Sequence, residues 1–261
     1  MQVEASKSAL YGPLKLFAIL LAAAFLLRIF YSRNLYQDDG LWLAAAEEIL
    51  RGKALYREIY FDKPPVLPLV YALLFRIFGV HLLVIRLFTI LYAAATALML
   101  YVFGSRLYDR RAGLLTAVLF TIFSSQSSGH TQALNTDFLM TLPYTAGAFL
   151  FVLSRLRTDR RRYLWYSLGG GVLSGVAFQT NPKGIFNLLF CGLLILAGFR
   201  WHTTEPRRLW QDGLKPLLIA IAGFVAGCAP FIAYVAATRS LTLYWTYVWV
   251  WGTRYAGYYP L

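Results

Sequence analysis

Charged residues are scarce in this chain: Asp, Glu, Lys and Arg together make up 14% of its 261 residues. A soluble domain carries about a quarter. Hydrophobic residues make up 59% and aromatic residues 17%, and the apolar residues come in long blocks rather than in alternation. This composition excludes an ordinary soluble domain and predicts an all-α fold, a polytopic bundle of membrane helices.

Acidic residues and cysteines are also few. The chain has 12 acidic against 25 basic residues, a net charge of +13, but the basic residues cluster between the apolar blocks. Clusters in that position indicate membrane orientation, and we expect no nucleic-acid partner. The two cysteines, Cys191 and Cys228, fall inside apolar segments without paired spacing. That placement excludes a disulfide framework and a cysteine metal knuckle.

The apolar blocks predict about seven transmembrane helices. A helix needs about 20 apolar residues to cross the hydrocarbon core. The block at 66–78 is too short, because as a helix it would extend about 20 Å across a core of about 30 Å. The predicted spans are 14–31, 83–104, 113–128, 138–154, 163–180, 185–199 and 216–236.

Three connecting segments are strongly basic, and the positive-inside rule places them on the cytoplasmic side. Segment 32–65 holds six of the twelve acids and is expected outside, so one crossing, 83–104, suffices after it. The 66–78 block is therefore predicted to be an interfacial or re-entrant helix. We predict a single membrane module over 1–261, with the N-terminus inside, the C-terminus outside and interfacial helices in an outer loop at 32–82. The basic residues are Arg106, Arg110 and Arg111; Arg155, Arg157, Arg160, Arg161 and Arg162; and Arg200, Arg207, Arg208 and Lys215.

Within the outer loop, residues 41–51 are predicted to form an amphipathic helix that lies in the membrane interface. Gly52 ends that helix, and Tyr56 to Phe61 is predicted to be extended. Proline disfavours a helical conformation in the residue before it and is tolerated at the first helical position. Lys63, in Asp-Lys-Pro-Pro, therefore stands at the entry to helix 66–78.

Two adjacent carboxylates, Asp38 and Asp39, precede the amphipathic helix. Aspartate is favoured at a helix N-cap, which accounts for one of them. The other needs a further explanation, because neighbouring carboxylates repel each other and require a partner. A catalytic general base and a divalent cation site formed by Asp38 and Asp39 are the two predictions that this pair supports.

Lys63 stands where the N–H groups and the dipole of the following helix already attract an anion. An ammonium at that position predicts a phosphate-binding site, and the alternative is a lysine that extends to lipid headgroups. Lys183, in a short outer turn, is either a second such cation or an interfacial anchor. Arg86 and Arg28, near span ends, are expected to pair with acids or with lipid phosphate.

Asp137 begins the 138–154 span. It is either a helix N-cap or a functional carboxylate at the mouth of the bundle. His130, in the same outer loop, is a candidate for metal binding or proton transfer. Gly169, Gly170 and Gly171 with Gly175 do not form a phosphate loop, because no Lys-Ser/Thr follows and the stretch lies inside a span. Small residues four apart are instead predicted to pack helices together.

These residues resemble the polytopic C-type glycosyltransferases, in particular the protein mannosyltransferase and aminoarabinose transferase group (glycosyltransferase families 39 and 83). The resemblance covers most of 14–200. Its more specific element is Asp-Lys-Pro-Pro at 62–65 with the acidic pair at 38–39 upstream. The other matching residues are Gly40, Ala44–Gly52, Tyr56, Arg76–Gly79, Arg86, Leu87, Thr136, Asp137, Lys183 and Gly184.

The resemblance implies a sugar donor linked to polyprenyl or dolichyl phosphate and an active site in the first outer loop. It implies that Asp38 or Asp39 is the catalytic base or a metal ligand, that Asp137 is a second catalytic acid, and that Lys63 binds the lipid phosphate. Members normally have more spans and a soluble C-terminal portion, so we expect this chain to be the N-terminal portion of a longer protein.

We therefore expect an inverting glycosyltransferase on the non-cytoplasmic face of a bacterial plasma membrane. Its expected partners are the lipid bilayer, a polyprenyl-phosphate sugar donor and an acceptor glycan, lipid or protein. Lys183 and Arg86 are predicted to join Lys63 in substrate binding. The alternative is a transporter or flippase, which would need ionisable residues near mid-membrane and internal repeats. A non-catalytic scaffold would leave the acidic pair and Asp-Lys-Pro-Pro unexplained.

Overall fold

The computed structural model describes residues 2–36, 38–126, 132–156, 160–197, 214–252 and 254. Helices joined by irregular segments make up this part of the chain, with one isolated bridge between Leu55 and Ile59, which confirms the predicted all-α class. The helices are α1 (Gln2–Arg28), α2 (Asp39–Leu50), α3 (Val66–Phe78), α4 (Leu82–Leu107), α5 (Arg110–Ser124), α6 (Thr136–Leu156), α7 (Arg160–Thr180), α8 (Ile185–Ala197), α9 (Lys215–Ala237) and α10 (Leu241–Tyr244), with 3-10 turns at Ile29–Tyr31 and Pro182–Gly184 and a π-helical segment at Trp245–Val250.

The chain forms two compact units. The first unit comprises Met1–Leu43 and Leu73–Leu142, and the second comprises Ala44–Ala72 and Pro143–Leu261. In the first unit α1 packs on α4 and α5, and α4 packs on α5. Small side chains let these helices approach closely, since the buried cluster at their contact consists of Leu20, Ala94, Ala97 and Ala117.

The second unit is built on the contact between α7 and α9, with α8 packed against both. Glycines on both helices make that contact close. A Cβ added at Gly175 would lie 2.3 Å from Phe224 O, and one added at Gly171 would lie 2.1 Å from Ala220 O. Gly223 and Gly227 face the carbonyls of α7 in the same way. The predicted role of the glycines in helix packing is confirmed.

Four helices are long and apolar enough to cross a membrane: Gly12–Tyr31, Leu82–Leu107, Thr136–Leu156 and Lys215–Ala237. They correspond to the predicted spans 14–31, 83–104, 138–154 and 216–236. The other three predicted spans coincide with helices in the described residues, α5 with 15 residues, α7 with 21 and α8 with 13, except that α5 ends at Ser124, before the predicted end at 128. Ile19, Leu26 and Val225 are 65%, 63% and 60% exposed, as expected of side chains that face lipid.

The two short helices predicted within residues 32–82 are present: α3 has the predicted bounds, and α2 begins two residues and ends one residue before its predicted bounds. The loop helix predicted over 41–51 is α2, and Gly52 ends it with a φ of 88°. Gly52 N donates to Ile49 O at 3.0 Å and Lys53 N donates to Glu48 O at 3.0 Å, the bond pair of a Schellman cap. The helix predicted over 66–78 is α3, and Gly79, a second glycine with positive φ, follows it.

One local prediction is wrong. The segment from Tyr56 to Phe61 was predicted to be extended, but its first half is a tight turn. Tyr56 N donates to Ile59 O at 2.8 Å, and Glu58 N donates to Ala54 O at 2.9 Å. The Glu58 carboxylate accepts from Ala54 N at 2.8 Å, and this bond holds the pKa of Glu58 below its usual value. Tyr56 has a φ of 69°. The sequence does not predict this left-handed conformation, because residues other than glycine rarely adopt it.

His130 lies outside the described residues. So do Arg157, Arg200, Arg207 and Arg208, four of the basic residues behind the predicted membrane orientation.

The α7–α9 contact gives the first testable prediction. Gly175→Ala places a methyl group against a backbone carbonyl, so the helices must separate, at a cost of about 1–3 kcal/mol. We expect a lower apparent Tm in detergent, measured by size-exclusion chromatography after heating. The control is Gly192→Ala on α8, where an added Cβ meets nothing within 4 Å. This variant should keep or slightly raise the Tm, and an equal loss in both variants would contradict the close packing.

Candidate active site

Asp39 and Arg86 form a buried ion pair in the first unit. Their side chains are 0% and 4% exposed. Arg86 donates from Nη2 to Asp39 Oδ2, and its Nη1 lies 3.5 Å from Oδ1, so the contact has the two-pronged form typical of arginine and carboxylate. The partner that one of the adjacent acids requires is therefore Arg86, a residue that the sequence analysis placed among the substrate-binding groups.

Residues of the segment before α2 contact this ion pair. Arg86 Nη2 also donates to Asn34 O at 2.7 Å, and the guanidinium carbon lies 5.0 Å from the centre of the Tyr36 ring. Tyr36 N donates to Asp39 Oδ2 at 2.9 Å. Both carboxylate oxygens of Asp39 and both terminal nitrogens of Arg86 are engaged, while Arg86 Nε is buried without a hydrogen-bond partner among the described residues. The catalytic or metal-binding role of Asp39 and the substrate-binding role of Arg86 stay predictions.

Asp38 has a different environment, because it is exposed. Its backbone oxygen accepts from Trp42 N at 3.2 Å, which places it at the N-cap position of α2. Its carboxylate has no hydrogen bond or ion pair with the residues that the structure describes. Of the two adjacent acids, Asp38 is the one that a substrate can reach.

Asp137 is exposed in the first turn of α6. The N-cap of this helix is Asn135, whose Oδ1 accepts from Phe138 N at 2.7 Å. Capping therefore does not account for Asp137. The carboxylate lines a cavity of about 410 Å³ in the first unit, together with Phe120, Phe123, Ser124, Asn135, Phe138 and Thr141.

Arg28, at the end of α1, supports the wall of this cavity. It is 3% exposed. Its Nε donates to Ser125 Oγ at 3.1 Å, and its Nη2 donates to Ser124 O. The guanidinium carbon lies 5.0 Å from the centre of the Phe138 ring. One buried arginine thus contacts two of the residues that line the cavity, Ser124 through its backbone oxygen and Phe138 through its ring.

Lys63 lies in the second unit, three residues before α3. Its Nζ donates to Asp62 Oδ2 at 2.6 Å, and the two side chains are 45% and 43% exposed. Half-exposed ion pairs contribute little free energy, so a phosphate group can replace Asp62 as the partner of Lys63. Prolines at positions 64, 65 and 68 leave few free N–H groups at this end of α3. The ammonium must therefore provide most of any anion binding here.

Lys183 is exposed in the 3-10 turn Pro182–Gly184. Asn181 caps the turn, because its Oδ1 accepts from Lys183 N at 3.1 Å. Gly184 is required there, since a Cβ at this position would lie 2.3 Å from Phe178 N. The short turn predicted at 181–184 is confirmed, and the role of Lys183 in substrate binding stays a prediction.

The second unit also holds a largely apolar cavity of about 810 Å³. Gln179, only 2% exposed, supplies a buried amide oxygen to its wall, and Tyr244 Oη lies 3.4 Å from it as donor. The side chains that line the cavity are those of Phe178, Gln179, Ile232, Leu241, Thr242, Tyr244, Trp245 and Trp249.

Within the described ranges, no group of three or more His, Cys, Asp and Glu side chains is placed to hold a metal ion. The predicted divalent cation site at Asp38 and Asp39 stays a prediction. An ion there would draw mainly on Asp38, because both oxygens of Asp39 face Arg86.

Sequence reasoning missed the residues that support these side chains. Asn135 carried a usable signal, because asparagine is among the favoured N-cap residues and a helical block follows it. Tyr36 carried none, and Tyr56 stood only among the matching residues of the family resemblance, without a role. Tyr36 stacks on an arginine 50 positions away in the chain, and Tyr56 acts through a backbone conformation that tyrosine rarely adopts.

A match over more than half of the chain identifies the protein family. The sequence profile of the family described as dolichyl-phosphate-mannose-protein mannosyltransferase matches residues 62–234, which begin at Asp-Lys-Pro-Pro and end within α9. The chain belongs to this family. With four helices long and apolar enough to span a bilayer, it is an integral membrane protein.

Two curated relatives agree with this assignment. An undecaprenyl phosphate-alpha-4-amino-4-deoxy-L-arabinose arabinosyl transferase of Pseudomonas savastanoi pv. phaseolicola (strain 1448A / Race 6) is 26% identical over 195 residues, 72% of this chain and 33% of the relative. An uncharacterized protein of Aquifex aeolicus (strain VF5) is 30% identical over 153 residues, 54% of this chain and 35% of the relative. The chain thus spans about a third of the length of the curated relatives it matches. No solved structure gives a significant match.

The predicted site residues fall in both units. Asp38, Asp39, Arg86 and Asp137 belong to the first unit, and Lys63 and Lys183 belong to the second. The family match includes all of them except the acidic pair, which precedes residue 62.

The buried ion pair gives the second testable prediction. Asp39→Asn or Arg86→Met leaves one buried charge without its partner, at a cost of about 3–5 kcal/mol. We expect each single variant to lose folded, monodisperse protein on heating. The double variant Asp39→Leu/Arg86→Met should recover much of that loss, because it leaves no charge buried.

The matched control for this pair is Arg51→Met, which removes a 64% exposed arginine from its pair with Glu47 and should cost less than about 1 kcal/mol. Additive losses in the double variant would show that the two residues do not act as a pair.

Proposed function

We propose that the protein is an inverting glycosyltransferase that moves a sugar from a polyprenyl-phosphate donor to an acceptor hydroxyl. Family membership supports the transferase class. The Pseudomonas relative, whose name includes an undecaprenyl-phosphate-linked sugar, supports a lipid-phosphate donor. The acceptor is a glycan, a lipid or a protein that presents a hydroxyl group.

The observation that carries the proposal is the contrast between the two adjacent acids. Asp39 is neutralised in a buried pair that fixes the start of α2, and Asp38 is exposed on the same helix end. A carboxylate held on a rigid element and open to a substrate is what general-base catalysis requires. A purely structural acidic pair would not leave one member exposed and without a partner among the described residues.

The proposed reaction is a single displacement. Asp38 removes the proton of the acceptor hydroxyl as its oxygen forms a bond to the anomeric carbon of the sugar. The bond between that carbon and the phosphate oxygen breaks, and the electron pair leaves with the polyprenyl phosphate. Attack opposite the departing phosphate inverts the anomeric configuration.

Lys63 stabilises the phosphate as it leaves, because a positioned cation interacts more strongly with the charge that develops on the leaving group. Lys183 provides a second cation for the same anion. The apolar cavity of about 810 Å³ is suited to part of the prenyl chain.

Asp137 supplies the second carboxylate. With Asn135 and Phe138 it offers hydrogen-bond acceptors beside an aromatic ring, a combination suited to a sugar. A divalent cation at Asp38 is the alternative way to stabilise the phosphate. We place the reaction on the non-cytoplasmic face of a bacterial plasma membrane, because the acids of the first loop lie opposite the basic connecting segments in the predicted topology.

The third testable prediction concerns transfer by the full-length protein in nanodiscs, with a polyprenyl-phosphate sugar as donor. Asp38→Asn should lower kcat about 100- to 10,000-fold, the usual contribution of a general base. Lys63→Ala should lower kcat/KM about 10- to 100-fold, as the loss of a charge-assisted hydrogen bond does. Radiolabelled sugar in the acceptor fraction measures both.

The matched controls are Glu47→Gln on α2 and Lys53→Ala in the same loop, whose charged groups lie in exposed ion pairs. Both should keep activity within about twofold of the unmodified protein. Near-normal transfer by both Asp38→Asn and Lys63→Ala would contradict the proposed function. Uptake of substrate by proteoliposomes without a new glycosidic bond would favour the transporter instead.

A further inference from the structure

Tyr56 has a backbone conformation that is unusual for its type. Its φ of 69° lies in the left-handed region, where a bulky side chain is rarely found. Glycine is the residue that reaches this region without steric cost. The chain places glycine at Gly52 and Gly79, which also have positive φ, yet it has tyrosine at position 56. The side chain of Tyr56 must therefore make contacts that outweigh the strain.

Those contacts lead to Lys63. Tyr56 is 1% exposed, and its hydroxyl donates to the backbone oxygen of Lys63 at 2.8 Å. Burial is the main cause that raises the pKa of the Tyr56 phenol well above its usual value of 10. The hydroxyl is therefore protonated and able to donate at neutral pH. The edge of its ring packs against Tyr244, with centroids 5.2 Å apart and an angle of 68° between the planes.

The peptide that receives this bond orients the lysine. Lys63 precedes Pro64 and Pro65, which restrict its backbone to extended conformations and remove two amide donors. The hydroxyl of Tyr56 then fixes which way the Lys63 carbonyl points. With the carbonyl fixed, the side chain leaves the backbone in one direction, with Nζ next to Asp62.

The Tyr56 side chain also packs against the lining of the apolar cavity of the second unit. Tyr244, against which Tyr56 packs, lines that cavity and donates toward Gln179. A buried tyrosine that served only to fill space would need its ring and not its hydroxyl, and it would not need a left-handed backbone. Both features are explained if the hydroxyl must reach a peptide seven residues further along the chain.

We propose that Tyr56 is a positioning residue for Lys63, holding the Lys63 peptide so that its ammonium meets the phosphate of the lipid-linked donor. The part of this proposal that concerns the donor rests on the proposed function. The part that concerns the peptide does not, because it is a statement about the loop itself.

The test uses Tyr56→Phe, which removes the hydroxyl and keeps the ring. The control is Tyr71→Phe, a tyrosine of α3 that is 0% exposed and belongs to the same unit. The full-length protein in nanodiscs is measured in two ways. Hydrogen exchange reports the backbone of residues 57–63, and steady-state transfer from a polyprenyl-phosphate sugar separates KM from kcat.

The expected result for Tyr56→Phe is faster exchange in 57–63 and a KM for the donor raised about 3- to 10-fold, the range for one lost hydrogen bond. kcat should fall by no more than the same factor, because Lys63 also stabilises the departing phosphate. Adding Tyr56→Phe to Lys63→Ala should lower kcat/KM no further, which a general loss of structure would not allow. Tyr71→Phe should change neither measurement. Unchanged exchange in Tyr56→Phe would overturn the proposal, as would faster exchange with an unchanged KM.

Failure of the proposed function is recognised separately. If the unmodified protein shows no transfer, or if Lys63→Ala leaves KM and kcat unchanged, Lys63 does not bind a donor phosphate and the donor part of the proposal fails with it. The exchange measurement still decides the remaining part. Faster exchange in Tyr56→Phe alone supports a positioned lysine loop, and equal exchange in both variants rejects it.

Discussion

The ion pair between Asp39 and Arg86 is the contact on which the first unit's candidate chemistry depends. Two charges removed from water are tolerated when each neutralises the other, and further hydrogen bonds stabilise them. The backbone of Asn34 and Tyr36 supplies two such bonds, while Arg86 Nε is buried without a partner among the described residues. Because this cluster fixes the first residue of α2, the preceding residue, Asp38, is held at a defined helix end while its carboxylate stays exposed.

Elements whose signals are local were predictable from sequence. Helix α3 lies at Val66–Phe78 as predicted, because prolines stand at its start and Gly79 ends it with a φ of 86°. The glycines of α7 were read correctly, since small residues four apart leave room for a neighbouring backbone. The spans follow from length and hydropathy alone, which require no knowledge of what each helix touches.

The identity of each acid's partner was not predictable. Asp39 and Arg86 are 47 positions apart, and no local pattern tells which of two adjacent aspartates turns inward. The sequence pointed to a cap, a base or a metal ligand with equal justification. At α6 the prediction had the same weakness, because Asn135 and Asp137 are both acceptable caps and only the hydrogen bond to Phe138 N separates them. The turn at Tyr56 was missed because its conformation runs against the preference of its residue type.

A polar group at the edge of a bilayer persists for one of two reasons: it has a partner, or it meets something the chain itself does not supply. In the described part of the chain, Asp39 and Arg86 fall in the first class. The proposed function puts Asp38 in the second class and Lys63 between the two, since its half-exposed carboxylate partner can be exchanged for a phosphate. The left-handed conformation of Tyr56, whose hydroxyl holds the Lys63 peptide, supports a substrate-binding lysine over an anchoring one. A lysine that only anchored the loop in the headgroup region would work in many orientations, and a chain would have no reason to retain a left-handed tyrosine to select one of them.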